Sequence, residues 1–284
     1  MILITGATGN NGVEIVRLLA QKNISARALV RDSKRAGAVA LPHIEVVEGN
    51  FDRPETLLAA LVGVDRAFLL TPSSERAESQ QLAFIDAARQ IGIRHIVKLS
   101  QFGADTRSEG RFQRYHAVVE AAVRASGLAC TFLRPNLFMQ GLLNFRAVIA
   151  ARQAFYAAAG DAKVSIVDVR DVAEVAVAAL TESGHEGKTY ELTGPEALTH
   201  TEMAEHLSAS LGHHVAFVDI PPEAMGEALR GAGLPPWQAE GLIEEYALYR
   251  RGEAEAITSG VQDAIGRTPR SFNAFARDYA AAFS

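Results

Sequence analysis

Met1-Ile2-Leu3-Ile4-Thr5-Gly6-Ala7-Thr8-Gly9-Asn10-Asn11-Gly12 opens the chain, and the order of residue types in it decides the fold. Met1 to Thr5 is apolar and reads as a strand. Asn11 to Gln21 reads as a helix, with Val13, Val16, Leu18 and Leu19 apolar. A glycine spacing is weak evidence by itself, but between a strand and a helix it is specific. There the first glycine, Gly6, permits the tight turn. Gly9 lets a pyrophosphate approach the backbone, and Gly12 lets the helix pack closely on the strand. The helix N-terminus then offers free N–H groups and the positive end of its dipole to phosphates.

The same rhythm continues outward. Strands are expected at Ala26 to Val30, Ile44 to Glu48, Arg66 to Leu70, His95 to Ser100 and Ala129 to Arg134. Helices are expected at Pro54 to Leu61, Glu75 to Gln90 and Glu109 to Ala125, the last closed by Gly127. Alternating strands and helices give parallel strands joined by right-handed crossovers. The expected fold is α/β: a doubly wound parallel-sheet Rossmann fold with a smaller C-terminal α/β lobe.

After Pro135 the rhythm loosens. Short strands are expected at Ser165 to Val167, Thr189 to Leu192 and Val215 to Val218. Helices are expected at Val172 to Leu180, Thr199 to Leu211, Pro235 to Tyr249 and Ser271 to Phe283. Thr199-His200-Thr201-Glu202 fits a capping box, and Pro221-Pro222 is expected to break the chain. Residues 1–135, with 160–195 returning to them, would form the nucleotide-binding core. Residues 136–159 and 196–284 would form the substrate-side lobe.

The 284 residues are 48% hydrophobic and 21% charged, with net charge −5. That suits a globular chain with a real core, and the absence of a basic run argues against a nucleic-acid surface. The single cysteine, Cys130, excludes an internal disulfide framework and lies in an apolar run as a small hydrophobe. The first strand starts at Met1 and no segment reads as a signal peptide or membrane span, so a cytoplasmic protein is expected, away from membranes. The eight histidines show no metal-ligand spacing, so no metal is expected.

The carboxyl ends of the strands hold the remaining markers, because ligands of open α/β sheets bind there. The second strand runs into Arg31, with Lys34 and Arg35 close behind. A forked guanidinium suits the 2′-phosphate of NADP, whereas Asp32 offers Arg31 a local partner instead. NADP is expected over NAD. Asp52, after the third strand, suits either the adenine amino group or the N-cap of the helix at Pro54. Thr71-Pro72 ends the fourth strand and Ser100-Gln101 the fifth.

Taken together, GATGNNG (6–12), GNFDRP (49–54), HIVKLSQFGA (95–104) and EAAVRASGLACTFLRPNLFMQ (120–140) resemble the NmrA-like, atypical short-chain dehydrogenase/reductase group. VDVRDVAEVAVAAL (167–180), GKTYELTGPEALTHTEMAEHLSASLG (187–212) and TSGVQDAIGRTPRSFNAFARDYAAAF (258–283) extend the resemblance over essentially the whole chain. The triphenylmethane-reductase-like and quinone-oxidoreductase-like members are the most similar in kind. The resemblance implies NAD(P)H binding and a lobe that closes a substrate cleft. Carried over by position, it implies that Gly6, Thr8, Gly9, Asn10, Asn11 and Gly12 hold the pyrophosphate and Arg31 the 2′-phosphate. Phe51 and Asp52 would flank the adenine. Leu70, Thr71 and Pro72 would lie along the inner ribose and nicotinamide, with Ser100 beside them.

One departure bears on the chemistry. Short-chain dehydrogenases use a Tyr-x-x-x-Lys pair in which the lysine lowers the tyrosine pKa for proton transfer. The matching positions here are Phe112 and His116. Phenylalanine has no proton to give, and Tyr115 precedes His116 by one residue and so points about 100° away from it. His116 suits either a ribose contact with proton work near neutrality or a surface pair with Glu120 one turn on. Asn136 is the polar candidate at the end of the sixth strand. Gln101, Phe138, Met139, Phe145 and Trp237 are candidates for the substrate cleft, though aromatic residues more often belong to the core. Tyr246 and Tyr249 are open as contributors from the lobe.

Two functions fit. One is an NADPH-dependent reductase of a planar, electron-poor small molecule such as a quinone, azo compound or dye cation. Such an acceptor takes hydride onto a conjugated system, so little acid catalysis is needed and orientation carries the rate. The other is a non-catalytic NAD(P)-binding redox sensor of NmrA type. A classical alcohol dehydrogenase or epimerase is disfavoured by Phe112. The chain is expected to be a monomer or homodimer.

Overall fold

The computed structural model describes residues 1–283. In chain order its elements are β1 (Ile2–Ile4), α1 (Asn10–Gln21), β2 (Ala26–Val30), β3 (Ile44–Glu48), α2 (Pro54–Leu61), β4 (Arg66–Leu69) and α3 (Ala77–Ile91). There follow β5 (His95–Leu99), α4 (Arg111–Ala125), β6 (Ala129–Pro135), α5 (Arg146–Arg152), β7 (Ala154–Ala157), α6 (Val169–Thr181) and β8 (Thr189–Leu192). The chain ends with α7 (His200–Leu211), β9 (Ala216–Asp219), α8 (Pro222–Gly231), α9 (Pro236–Arg250), α10 (Gly260–Ile265), α11 (Phe272–Asp278) and α12 (Ala280–Phe283).

Seven strands form one parallel sheet in the order β3-β2-β1-β4-β5-β6-β8. Strand order reverses between β1 and β4, which is where a doubly wound sheet opens its ligand crevice. Side-chain alternation along each strand feeds two cores. Ile2, Ile4, Val97 and Leu99 meet α1 and α6 on one face. Leu3, Ile96 and Phe132 meet α2, α3 and α4 on the other.

The smaller lobe has its own core of Ile149, Phe155, Met203, Leu207, Phe272 and Phe275 around the parallel pair β7–β9. The capping box at Thr199 and Glu202 forms with both of its hydrogen bonds. Five features depart from the sequence expectations, and one is that the helix expected at Ser271 to Phe283 is two, α11 and α12, parted at Tyr279. Ser165 to Val167 is not a strand; Val167 makes only an isolated bridge to Phe138. Pro222 does not break the chain but starts α8, where its missing N–H is harmless. A short 3-10 stretch, Met139–Phe145, leads into α5 and β7, none of which has a clear sequence period. And α10, expected in the smaller lobe, packs on α6 and β8: Val261 enters the sheet core, and Gly260 lies so close that a Cβ there would be 2.1 Å from the Glu191 carbonyl oxygen.

Two ion-pair clusters fix the lobe on the core. Asp171 of α6 is fully buried and takes Arg267 at 2.6 Å, the Arg270 side chain and the Arg270 amide at 2.7 Å. At the opposite end, Glu244 of α9 holds the Arg111 guanidinium at 2.6 Å and the Arg111 amide at 2.8 Å. That second clamp seats α9 over the start of α4 and the carboxyl edge of the sheet.

Candidate active site

The glycine loop is built by contact distances. Gly6 sits at φ +61°, in the left-handed region that glycine alone enters freely. A Cβ on Gly12 would lie 2.2 Å from the Gly6 carbonyl oxygen and 2.6 Å from Ala7 Cα, so α1 touches the turn with no room to spare. Gly9 differs: its amide bonds the Gly6 carbonyl at 3.0 Å, yet a Cβ there would meet only that oxygen, at 3.4 Å. The protein does not crowd Gly9; its outer side is exposed, as are Thr8 and Asn10. The first-turn amides of α1 have no intrahelical acceptors, and Asn11 buries its Oδ1 without a partner. A cradle of this shape fits a pyrophosphate. Thr5 braces it, its hydroxyl accepting from the Leu70 amide at 2.8 Å and so tying the end of β1 to that of β4.

Arg31 follows β2 directly. It is exposed and makes no hydrogen bond or ion pair among the described residues. Asp32 does not pair with it; its carboxylate caps the next turn by accepting from the Lys34 amide at 2.9 Å. Phe51 packs on Phe84 with ring centroids 5.8 Å apart. Asp52 is not the N-cap of α2, a position held by Arg53. Its carboxylate instead receives Gln80 and Arg76 of the α3 region, each at 2.7 Å. Leu70 is half-buried, Pro72 exposed, and the buried Thr71 hydroxyl accepts from Gln81 at 2.8 Å.

His116 does not pair with Glu120. It is buried, and its Nδ1 lies 2.8 Å from Nζ of Lys98, a fully buried lysine of β5 that also donates to the Leu99 carbonyl at 3.0 Å. Burial draws the Lys98 pKa down to about 7, against the pull of the Glu120 charge. Burial, then Lys98, hold His116 well below its usual value, so it is neutral. With Nδ1 accepting from Lys98, the ring hydrogen sits on Nε2, which has no partner among the described residues and is not among the fully enclosed polar atoms. Glu120 bonds elsewhere: it accepts from the Ser100 hydroxyl at 2.5 Å and from Arg134 at 2.7 Å. Ser100 therefore has its hydroxyl proton engaged within the protein.

Tyr115 also stays at the site. Its hydroxyl is 3.0 Å from Ser73 Oγ, in the loop after β4, and its ring centroid is 4.1 Å from that of His116. Phe112 is buried against Trp237 at 5.5 Å, with the Arg111 guanidinium over the indole. Trp237 thus packs α9 on α4. Two other candidates are engaged within the protein. Met139 is fully buried in the core of the lobe. Asn136 spends its amide on Ser165 and the Ala254 carbonyl, each at 2.8 Å, and on the Leu137 amide at 2.8 Å. Both of its amide hydrogens are thus engaged within the protein, at the edge of the cavity described below. Phe138 and Phe145 are half-buried, Phe145 against Phe155.

Gln101 points at a residue the sequence did not single out. Its amide donates at 2.5 Å to Glu245 of α9, beside a cavity of about 40 Å³ that Gln113 and Tyr249 also line. Burial pushes the Glu245 carboxyl up to about 7, and the nearby Tyr249 hydroxyl offsets little of that. The Tyr246 hydroxyl lies 3.4 Å from His200. Cys130 is half-buried and burial raises its thiol pKa, so it is not activated.

Known proteins match this architecture along its length. The NmrA-like family model matches residues 1–273. The NAD(P)H azoreductase of Xenophilus azovorans is 39% identical over 283 residues, covering 100% of this chain and 99% of that protein. The triphenylmethane reductase of Citrobacter sp., solved as a complex with NADP(H), superposes with TM-score 0.87 at 29% identity, over 99% of this chain and 100% of that one. An NADPH-dependent quinone oxidoreductase from Escherichia coli, complexed with NADPH, gives 0.86 at 28% identity over 99% of both chains. With a family model over nearly its whole length and a relative of such identity, the chain belongs to the NmrA-like family.

Proposed function

We propose that the protein is an NADPH-dependent reductase that passes hydride to a planar, electron-poor small molecule of the quinone, azo or dye-cation kind. The observation that carries the cofactor half is the open cradle at Gly9 together with the unpaired guanidinium of Arg31 beyond β2. The azoreductase, triphenylmethane reductase and quinone oxidoreductase relatives support the acceptor half. In this reading Gly6, Thr8, Gly9, Asn10, Asn11 and Gly12 receive the pyrophosphate, and Arg31 the 2′-phosphate. Phe51 and Asp52 flank the adenine, and Leu70, Thr71 and Pro72 border the nicotinamide end. NADPH supplies the hydride.

The chain's own residues orient and shield. His116, held neutral and in one tautomer by Lys98, presents Nε2–H as a donor for a ribose hydroxyl, the task the family gives to lysine. Phe112, locked against Trp237, offers no proton where the family tyrosine would. Acceptors whose reduced form is stabilised by delocalisation suit such a site, with orientation carrying the rate. No feature of the described residues favours the regulatory alternative over turnover.

Mixing the protein with NADPH or NADH and a panel of quinones, azo compounds and dyes, and following nicotinamide absorbance, tests the reading. Acceptor-dependent oxidation of NADPH is expected; its absence across the panel overturns the reductase assignment. Arg31→Ala is expected to weaken NADPH binding by about 10- to 150-fold, because a hydrogen-bonded charged contact is worth roughly 1.5–3 kcal/mol. NADH binding should barely change. Equal loss for both nucleotides, measured by fluorescence titration, contradicts the phosphate contact.

A further inference from the structure

We propose that Glu245 is the proton donor of this site: α9 carries its carboxyl to the carboxyl edge of the sheet, where it protonates the reduced acceptor. The inference rests on the reductase reading above and adds the step that reading leaves open, namely where the proton comes from.

The geometry is that of a built polar pocket. Gln101, the second residue beyond β5, donates to Glu245 Oε1 at 2.5 Å across 144 positions of sequence, fixing the carboxyl in place. Around the same cavity Gln113 Oε1 is buried with no hydrogen-bond partner among the described residues, and the buried Tyr249 hydroxyl has only the Glu245 carboxyl to interact with. A bond left unmade in an enclosed site leaves the desolvation of its polar group uncompensated. Three polar groups facing one small cavity, the Gln113 oxygen unspent among them, suit the polar end of a ligand that enters and completes them. About 40 Å³ holds a carbonyl group or one water. The local sequence accommodates this arrangement: Gly110 has no side chain where a Cβ would stand 2.1 Å from Gln113 Oε1.

Other groups nearby are unsuited to the task. Lys98 and His116 bond each other, and burial with the Lys98 charge keeps His116 unprotonated. Both amide hydrogens of Asn136 are engaged within the protein. Burial pushes the Tyr115 phenol far above its usual value, and its hydroxyl meets Ser73. The titratable and charged groups facing Glu245 are few. From α9 and the turn after it they are Tyr246, Tyr249 and Glu253, the last paired with Arg251 at 2.6 Å. From α4 there is Tyr115, while Arg111 is taken up by Glu244. No lysine or arginine bonds Glu245 among the described residues; the Tyr249 hydroxyl favours the carboxylate, but burial outweighs it and pushes the pKa up to about 7.

With a quinone the step balances as follows. The C–H bond of the reduced nicotinamide breaks and its hydride bonds to the quinone, leaving negative charge on a quinone oxygen. The O–H bond of Glu245 breaks as its proton passes to that oxygen. Hydroquinone and oxidised nucleotide leave, and the Glu245 carboxylate regains a proton from water. A cationic dye, neutralised by hydride alone, needs no such proton.

The test is the pH dependence of kcat for NADPH oxidation by 1,4-benzoquinone, in the wild type and in Glu245→Gln. The amide keeps the shape of the side chain without an acidic proton. The wild-type rate is expected to fall as pH rises through about 7, the pH at which burial places the carboxyl. Glu245→Gln is expected to lose that limb and run about 10- to 100-fold slower at pH 6, the low end for general acid catalysis, with NADPH affinity unchanged. A wild-type kcat that is flat from acid to alkaline pH overturns the proposal even if the variant fails to fold. So does an unaltered profile in a folded Glu245→Gln. A wild type that oxidises no NADPH with any acceptor overturns the reductase reading and this step with it, whereas turnover with either of those profiles overturns the proton donor alone.

Discussion

Gly12→Ala is expected to destabilise the protein by about 3 kcal/mol or more and to abolish NADPH binding. Helix propensity argues the other way. Gly12 lies in the first turn of α1, where alanine is intrinsically better by roughly 1 kcal/mol. Contact decides against it. The new methyl would lie 2.2 Å from the Gly6 carbonyl oxygen, 2.6 Å from Ala7 Cα and 2.7 Å from the Ala7 carbonyl carbon. All three are backbone atoms, which cannot swing aside as a side chain would. Relief requires α1 to lift off the turn, and overpacking in such places costs about 1–3 kcal/mol or more. Lifting α1 also withdraws its first-turn amides from the phosphate cradle. A thermal melt and a nucleotide titration check both parts; an unchanged Tm would sink the argument. Gly9→Ala is the control. Its methyl would meet only the Gly6 oxygen at 3.4 Å, so the fold should hold while binding weakens, because that face is the one a pyrophosphate would occupy.

The contrast between these two glycines marks what the sequence can carry. Gly6, Gly9 and Gly12 are legible because their spacing between a strand and a helix is a local signal, as are the apolar strands that place Arg31 and Gln101 at the sheet edge. The Lys98–His116 contact is legible only in part. A lysine inside His95-Ile96-Val97-Lys98-Leu99 is a charge in a strand buried on both faces, and a fully buried lysine requires a partner. Which partner depends on how α4 lies over β5. Glu245 carries no sequence signal. Glu244 and Glu245 are adjacent and chemically identical, yet one takes Arg111 at the rim and the other is buried against Gln101. Only the docking of α9 distinguishes them. Asn136 is the converse case: its position beyond β6 is where ligand groups gather, while the returning segment at Ala254 takes up its amide.

Glu120→Ala is expected to cost about 3–5 kcal/mol at neutral pH. The Glu120 side chain is 1% exposed and joins three elements of the sheet's α4 face. Ser100 at the end of β5 donates to it at 2.5 Å, Arg134 of β6 forks onto it at 2.7 and 2.9 Å, and Arg124 adds a contact at 3.0 Å. Removing it leaves the Arg134 guanidinium, itself 19% exposed, with only the looser Glu191 contact at 3.5 Å. Breaking one side of a buried pair costs more than the pair contributes, because the remaining charge stays in a poor solvent; roughly 3–5 kcal/mol is usual. The pH dependence has a definite sign. Burial alone would raise the Glu120 pKa, but the hydrogen bonds from Arg134 and Ser100 outweigh it and hold the carboxyl below 4.5. A depressed carboxylate contributes its stability in full above the unfolded value and loses it as pH falls through the folded one. Urea melts of wild type and Glu120→Ala should therefore differ by a constant amount near neutrality and converge in acid below about pH 4. A gap that widens in acid would show that Glu120 stabilises the fold as a neutral group, and would remove the charge from this account of how β5, β6 and α4 hold the cofactor edge in place.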